Sequence, residues 1–279
     1  MKVPAKSNVV SYPSVSIVTP SLNHAKYIRE AINSILGQNY QNLEYIIMDG
    51  GSTDGTLEVL KEYSDRIIWT SEPDEGLYDA VNKGWLRSRG EFIGFVNSDD
   101  ALGPDAICTM VNYLKNHTEV PLVYGDCYRI DQAGKVLERV FAGSSDLETL
   151  LRFGNTIFTG AMLLRRSLLE EIGWLNISLK YAADYDFCIR VAQRYRIGHI
   201  KQPLAMFRIH TGSKSQNSRW NMWEETLKVS YKYSRRRYLS LYSRYWIDRF
   251  VHLLPHSILW HSVFVPVRKK FRRLWRLGS

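Results

Sequence analysis

Cysteine is scarce in this sequence. The 279 residues include three, Cys108, Cys127 and Cys188, and none lies in a C-x-x-C pair. That count excludes a disulfide framework and a thiolate zinc site, and it suits a reducing compartment. Nowhere do 18 uninterrupted apolar residues occur, and the nearest approach, residues 250–267, is broken by three histidines and two prolines. A confident membrane-spanning helix is therefore not expected. Residues 1–14 lack the apolar core of a secretory signal. Asn116-His117-Thr118 and Asn176-Ile177-Ser178 accordingly read as chance matches to a glycosylation pattern. Also missing are a phosphate loop ending in Gly-Lys-Ser/Thr, a G-x-S-x-G elbow, internal repeats and low-complexity tracts. What is present, 45% apolar and 23% charged residues, belongs to a folded protein of one large or two small domains.

The net charge of +9 is unevenly distributed. Residues 217–279 hold 14 Lys+Arg and 3 Asp+Glu, a net of +11, which leaves residues 1–216 with 23 and 25, a net of −2. A uniformly basic nucleic-acid binder is excluded, and no nucleic-acid partner is expected. The sequence divides into a body, 1–216, with halves at about 14–125 and 126–216, and a basic, aromatic tail, 217–279.

The body alternates strand and helix patterns. Strands are expected at 15–19, 43–48, 67–70, 91–96 and 122–124, with helices at 25–36, 56–63, 77–89 and 104–116 between them. Such alternation implies an α/β fold with a mostly parallel sheet and ligands beyond the carboxyl ends of the strands. Beyond Gly125 the pattern changes to a hairpin over 128–140, a strand at 161–164 and a short helix at 167–172. A helix at 184–194 and strands at 197–200 and 205–209 follow, and the polar residues 211–219 read as a loop.

Three clusters carry chemistry. Asp49-Gly50-Gly51-Ser52-Thr53-Asp54-Gly55-Thr56 joins a strand to a helix. Its glycines permit a sharp turn and close ligand approach, though an Asx turn with a helix cap explains it equally. Asn97-Ser98-Asp99-Asp100 follows a buried strand, and adjacent carboxylates there suit a divalent cation shared with phosphate, or helix capping ahead of Pro104. Ala183-Asp184-Tyr185-Asp186 opens a helix, where a carboxylate also complements the helix dipole.

Together with Val15-Ser16-Ile17-Val18-Thr19-Pro20-Ser21-Leu22-Asn23, these motifs resemble, in order and spacing, those of family 2 glycosyltransferases, inverting enzymes with the GT-A fold. Residues 72–84 resemble a bacterial polysaccharide-assembly branch, and the likeness covers about 14–215. The resemblance implies a nucleotide-sugar donor, most often a UDP-sugar, and a glycan or lipid-linked acceptor. Thr19, Pro20 and Asn23 would edge the nucleobase and ribose, Asp49 would accept from the base, and Asp74, Asn82 and Lys83 would close over the nucleotide. Asn97-Ser98-Asp99 stands in for the family's D-x-D motif, with Asn97 in place of its first aspartate. Asp99, Asp100 and His210 would hold Mg²⁺ or Mn²⁺, Asp184 would be the general base, and Asp186 would fix local structure or the acceptor. Arg208 and Lys214 are further candidates to face phosphate, and Trp174 to stack on a sugar or cover the core.

In the tail, Arg235-Arg236-Arg237 and a basic cluster over 268–276 alternate with Tyr242, Trp246, Phe250, Trp260, Phe264 and Trp275. That mixture suits an anionic membrane surface, or a helical cap on the body. The expected setting is cytoplasmic, peripheral on the inner face of the cell membrane. Two rival readings remain at this level. A sugar-phosphate nucleotidyltransferase would show a Gly-rich basic loop where this sequence has Pro20-Ser21-Leu22-Asn23-His24, and a non-catalytic nucleotide-sugar binder would not require Asp99 and Asp184.

Overall fold

A computed structural model describes residues 13–253. The tail's basic cluster at 268–276 and Trp260, Phe264 and Trp275 lie outside the described residues. Four strands form the first half of the sheet: β1 (Val15–Ser21), β2 (Leu43–Asp49), β3 (Ile68–Ser71) and β4 (Phe92–Phe95), in the parallel order β3-β2-β1-β4. Their β-branched and aromatic residues alternate between faces, as a sheet covered on both sides requires. Val18, Ile46 and Met48 enter one core cluster, and Ile17, Tyr45 and Ile47 the other.

The helices between these strands are α1 (Ile28–Leu36), α2 (Thr56–Glu62) and α3 (Leu77–Arg87). Helix α1 buries Ile28, Ala31, Ile32 and Ile35, the i, i+3, i+4, i+7 stripe of an amphipathic helix. On the opposite face α3 comes so near β1 that a Cβ on Gly84 would lie 2.4 Å from Val18 Cγ1. Beside it Trp85 is fully buried, and its indole N–H donates to Gly94 O at 3.2 Å. Truncation of such a side chain to Ala costs about 3–5 kcal/mol.

The second half comprises β5 (Ala101–Leu102), α4 (Ala106–Asn116), β6 (Leu122–Ile130), β7 (Val136–Val140), α5 (Leu147–Phe153), β8 (Met162–Arg165), α6 (Leu168–Ile172), α7 (Ala183–Ala192) and β9 (Gly198–Arg208). It completes the order β3-β2-β1-β4-β8-β6-β9-β5, with β7 paired to β6. Within residues 13–253, six of the nine strands run one way, and β5, β7 and β8 run against them. The expected mostly parallel α/β sheet is what forms.

Four local expectations are corrected. The strands at 197–200 and 205–209 are one bulged strand, β9; Gln202-Pro203 interrupts the pattern, and the register with β6 shifts there. Helix α5 was not anticipated, although Asp146 caps it by accepting from Thr149 N–H at 2.8 Å. Nor was the two-residue β5. The supposed loop 211–219 contains α8 (Lys214–Asn217) and the first residue of α9 (Arg219–Ser234), which α10 (Leu239–Leu253) follows. Val229 of α9 is in the same core cluster as α7, and Leu241 of α10 is fully buried. The described tail helices thus lie against the body.

Candidate active site

Parallel pairing brings the carboxyl ends of β1, β2 and β4 together, since Ser21 is opposite Asp49 and Val18 opposite Phe95. Asp49 is 1% exposed and holds the turn after β2. Its Oδ2 accepts from the N–H groups of Gly51 (3.0 Å) and Ser52 (2.9 Å) and from the Ser71 hydroxyl (2.7 Å), and Oδ1 accepts from the Ser52 hydroxyl (2.5 Å). Asn23, at φ +54°, stitches the first loop to this turn: its N–H donates to Ser52 Oγ at 2.7 Å and its Oδ1 accepts from Thr53 N–H at 2.8 Å. Pro20 is buried within β1. Thr19 points into the core, accepting from the Tyr45 hydroxyl at 3.0 Å.

Asp74 comes over the same turn. A Cβ on Gly50 would lie 2.6 Å from its Oδ2, so the glycine makes room for the carboxylate. Asn82 and Lys83 do other work: Asn82 makes paired hydrogen bonds to the backbone of Leu175, and Lys83 pairs with Asp79 at 2.9 Å. With Leu86 and Trp174 they border an open depression. Two buried acceptors near the strand ends, Ser21 Oγ and Asn97 Oδ1, have no partner. A polar ligand entering from that edge would satisfy them.

The turn after β4 separates two adjacent aspartates. Asp99 Oδ2 is 3.0 Å from His210 Nε2, with the His210 ring against Tyr27 and near His24, whose Nδ1 is 2.5 Å from Ser98 Oγ. Asp100 turns inward, accepting from Asn97 Nδ2 at 3.0 Å and Arg208 N–H at 2.9 Å. Burial, and then the Asp99 charge, push its carboxyl well above the usual range. Arg208 is also buried, donating to the carbonyls of Asp99 and Asp131, so it does not face phosphate. Among the described residues no group of three or more His, Cys, Asp or Glu side chains could hold a metal. Asp99 and His210, one carboxylate and one imidazole on neighbouring donor atoms, fit two positions of a divalent cation, with oxygens of a bound diphosphate able to supply others. Asp100, expected with them, does not face this pair.

Asp184 occupies the first turn of α7 and is half-buried. Its Oδ1 is 3.0 Å from the Tyr78 hydroxyl, and its Oδ2 accepts from Asn155 Nδ2 at 3.0 Å. Burial raises its pKa, and the Tyr78 hydroxyl, the Tyr185 and Asp184 N–H groups and Asn155 together offset only part of that rise. Lys214, four residues beyond His210, lies over the Tyr78 and Tyr181 rings at 5.7 and 5.0 Å. Four residues span at most about 14 Å, so segment 210–214 joins the Asp99–His210 pair to the surroundings of Asp184. Asp186 is buried, accepting from Arg190, Lys232 and Tyr233, and so fixes local structure.

Comparison with known proteins gives the family and the fold. The model of Glycosyl transferase family 2 matches residues 16–173. The chain belongs to this family. The glycosyltransferase is 31% identical over 227 residues to an uncharacterised glycosyltransferase of Rickettsia prowazekii, covering 79% of this chain and 71% of that one. It is 33% identical over 183 residues to a PGL/p-HBAD biosynthesis glycosyltransferase of Mycobacterium tuberculosis, covering 64% and 69%. Its GT-A fold is shared with S. aureus TarS residues 1–349 in complex with UDP-GlcNAc, at a TM-score of 0.62 and 16% identity over 90% of this chain and 76% of that one. The mannosyltransferase PcManGT of Pyrobaculum calidifontis, in complex with GDP-Man and Mn²⁺, gives a TM-score of 0.64 and 19% identity over 85% and 70%. Of a longer TarS chain, the glycosyltransferase spans 49%.

Sequence reasoning on this glycosyltransferase did not single out His24, Tyr78 or Asn155. Tyr78 lies within the motif at 72–84 and carried a signal; Asn155 and His24 carried none that distinguishes them from ordinary polar loop residues.

Proposed function

We propose that this family 2 enzyme transfers a hexosyl or N-acetylhexosaminyl group from a nucleoside-diphosphate sugar, a UDP-sugar by preference, to a hydroxyl of a glycan or lipid-linked glycan, with inversion at the anomeric carbon. The observation that carries this reading is Asp184: a half-buried carboxylate, raised in pKa, held by Tyr78 and Asn155 and joined by segment 210–214 to the Asp99–His210 pair. A base of raised pKa suits proton removal from a sugar hydroxyl near neutral pH. The acceptor oxygen attacks the anomeric carbon from the face opposite the diphosphate, so a single displacement needs no enzyme nucleophile. Tyr78 and Asn155 orient the carboxylate, and Asp74, Asn97 and Ser21 offer polar contacts to the donor. Asp99 and His210 would hold Mg²⁺ or Mn²⁺, which when bound neutralises charge on the leaving diphosphate. TarS is seen with UDP-GlcNAc and PcManGT with GDP-Man and Mn²⁺, and both donor types fit this reaction class.

The deciding measurement is calorimetric titration with a panel of UDP- and GDP-sugars, with Mn²⁺, with Mg²⁺ and with chelator. Binding of a UDP-sugar that weakens at least tenfold in chelator is expected. Absence of binding by every nucleotide sugar would end the assignment.

We also place the enzyme on an anionic membrane surface through residues 217–279, at the cytoplasmic face. Within the described part, Leu239, Trp246 and Ile247 are exposed on α10, and Arg235, Arg236 and Arg237 precede that helix. No helix among the described residues is long and apolar enough to cross a membrane. Co-sedimentation with phosphatidylserine vesicles, reversed at high salt and weakened by Trp246→Glu, is expected; equal sedimentation with neutral vesicles would argue against the electrostatic part.

A further inference from the structure

Helix α9 grips the segment that carries Asp184 on both sides of that residue. Ahead of it, Glu225 Oε1 accepts from Lys180 N–H at 3.0 Å, and Oε2 accepts from the N–H groups of Tyr181 (2.7 Å) and Ala182 (3.0 Å). Beyond it, Lys232 Nζ (3.0 Å) and the Tyr233 hydroxyl (2.9 Å) donate to Asp186 Oδ1, while Arg190 Nε takes the other oxygen at 2.9 Å. Glu225, Val229 and Lys232 are spaced i, i+4, i+7 and share one face of α9. Val229, between the two charged residues, is 2% exposed and belongs to the core.

The grip reaches Asp184 through one peptide group. The Tyr181–Ala182 peptide gives its N–H to Glu225, and its carbonyl lies 3.1 Å from the Tyr78 hydroxyl. That same hydroxyl lies 3.0 Å from Asp184 Oδ1. Rotation of the peptide would carry the carbonyl away from Tyr78 and change how its single proton is shared. Helix α7 has no cap of its own, because its N-cap residue is Ala182. A carboxylate receiving three successive backbone N–H groups holds such an entry far more firmly than solvent does.

We infer that Glu225 is a positioning residue for the general base, and that α9, supplied by the tail, completes the catalytic unit. The inference rests on the assignment of Asp184 as the base. Its geometric half, the clamp on residues 180–182, can be read without any turnover.

The test uses the full chain and the variants Glu225→Gln, Glu225→Ala and Glu225→Asp, with Glu224→Ala as the control from the exposed side of α9. Three readouts are needed: amide hydrogen exchange of residues 180–182, calorimetric affinity for UDP with Mn²⁺, and steady-state kinetics with the UDP-sugar found in the donor panel. For Gln and Ala, exchange at 180–182 rises at least tenfold and kcat falls about 10- to 100-fold, the scale of a displaced catalytic group. UDP affinity and donor KM stay within twofold, and Asp restores part of kcat. Should Ala fail to fold, the nearly isosteric Gln still decides. Unchanged exchange in Gln would show that there is no clamp. Raised exchange with unchanged kcat would show that the clamp does not position the base. Parallel loss of kcat and UDP affinity would mark Glu225 as a general stabiliser, and each of these results overturns the inference. Failure of the underlying assignment looks different: Asp184→Asn would keep its turnover while exchange in the Glu225 variants still rose.

Discussion

At the end of β2, Asp49 is met by the Gly51 and Ser52 N–H groups and by the Ser52 and Ser71 hydroxyls; at the start of α7, Asp184 meets the Tyr78 phenol, the Asn155 amide and backbone N–H groups of its own helical turn. Asp54, in the same loop as Asp49, accepts from the Ala25 and Thr56 N–H groups and the Thr56 hydroxyl. Burial pushes its pKa up, but bonds from Thr56 and Ala25 outweigh that push and hold it below the ordinary value. Asp184 goes the opposite way, because burial wins over all its donors: Tyr78, the Tyr185 and Asp184 N–H groups, and Asn155. The lesson concerns what an aspartate is for. Where loop donors outweigh burial, as at Asp54, the carboxylate stays charged; where burial outweighs the donors, as at Asp184, it retains affinity for a proton.

The sharpest way to break this comparison is Asp184→Asn, which keeps shape and removes the base. Transfer should fall about 10²- to 10⁴-fold, with UDP affinity by calorimetry unchanged within twofold; turnover within tenfold of wild type would dissolve the contrast. Next in size, Asp99→Ala should weaken donor binding in Mn²⁺ at least tenfold and leave binding in chelator unaltered. A uniform loss in both conditions would instead make Asp99 a shaper like Asp49.

Asp186 tests the shaping role directly, because it is 1% exposed and paired with Arg190 and Lys232. Asp186→Asn should destabilise by about 3 kcal/mol, roughly 6–12 °C in Tm by thermal melting. A melting point unchanged within 1 °C would contradict it.

The smallest effect is a pH signature of Asp184. Its folded pKa lies above the unfolded one, so the fold favours the protonated form. The stability this contributes is present below the unfolded value and lost as pH rises through the folded value. Above the folded value the wild type carries a charged, partly desolvated carboxylate, and there Asp184→Asn should melt at or slightly above it. The gap should close as pH falls, and the acid limb of kcat/KM should lie above about 3.9, the value of a free aspartate. An acid limb at or below that value would refute the raised pKa.

Much of the donor end was legible in the sequence. The β-branched runs and glycine-bounded helices of residues 15–96 follow from periodicity, and parallel pairing then forces Asp49 and Asn97 to one edge. The expectation that Thr19 edges the nucleobase is corrected: it shares a strand face with Ile17 and turns into the core. Other features were not legible. Asp99 and Asp100 are neighbours with identical chemistry, and Asp100 is the one held inward by Asn97 Nδ2 and by the remote Arg208 N–H. Tyr78 and Asn155 reach Asp184 across sequence separations of 106 and 29, distances over which local pattern carries no information. The tail's charge suggested where the enzyme works, yet the contact that matters to Asp184 comes from Glu225, an acidic residue inside that basic segment.

Arg208 has a consequence for how the molecule comes into being. Its side chain donates to the carbonyls of Asp99 and Asp131 and pairs with Glu30, while its own N–H meets Asp100 across 108 positions. The Asp99–His210 contact spans 111, and Tyr78–Asp184 spans 106. Contacts so distant in sequence are slow to close. A chain emerging from the ribosome carries its acidic loop long before β9 arrives, with Asp99 and Asp100 side by side and neither Arg208 nor His210 yet made. These contacts are thus the last to form, and a product interrupted before β9 has the donor-side strands without them.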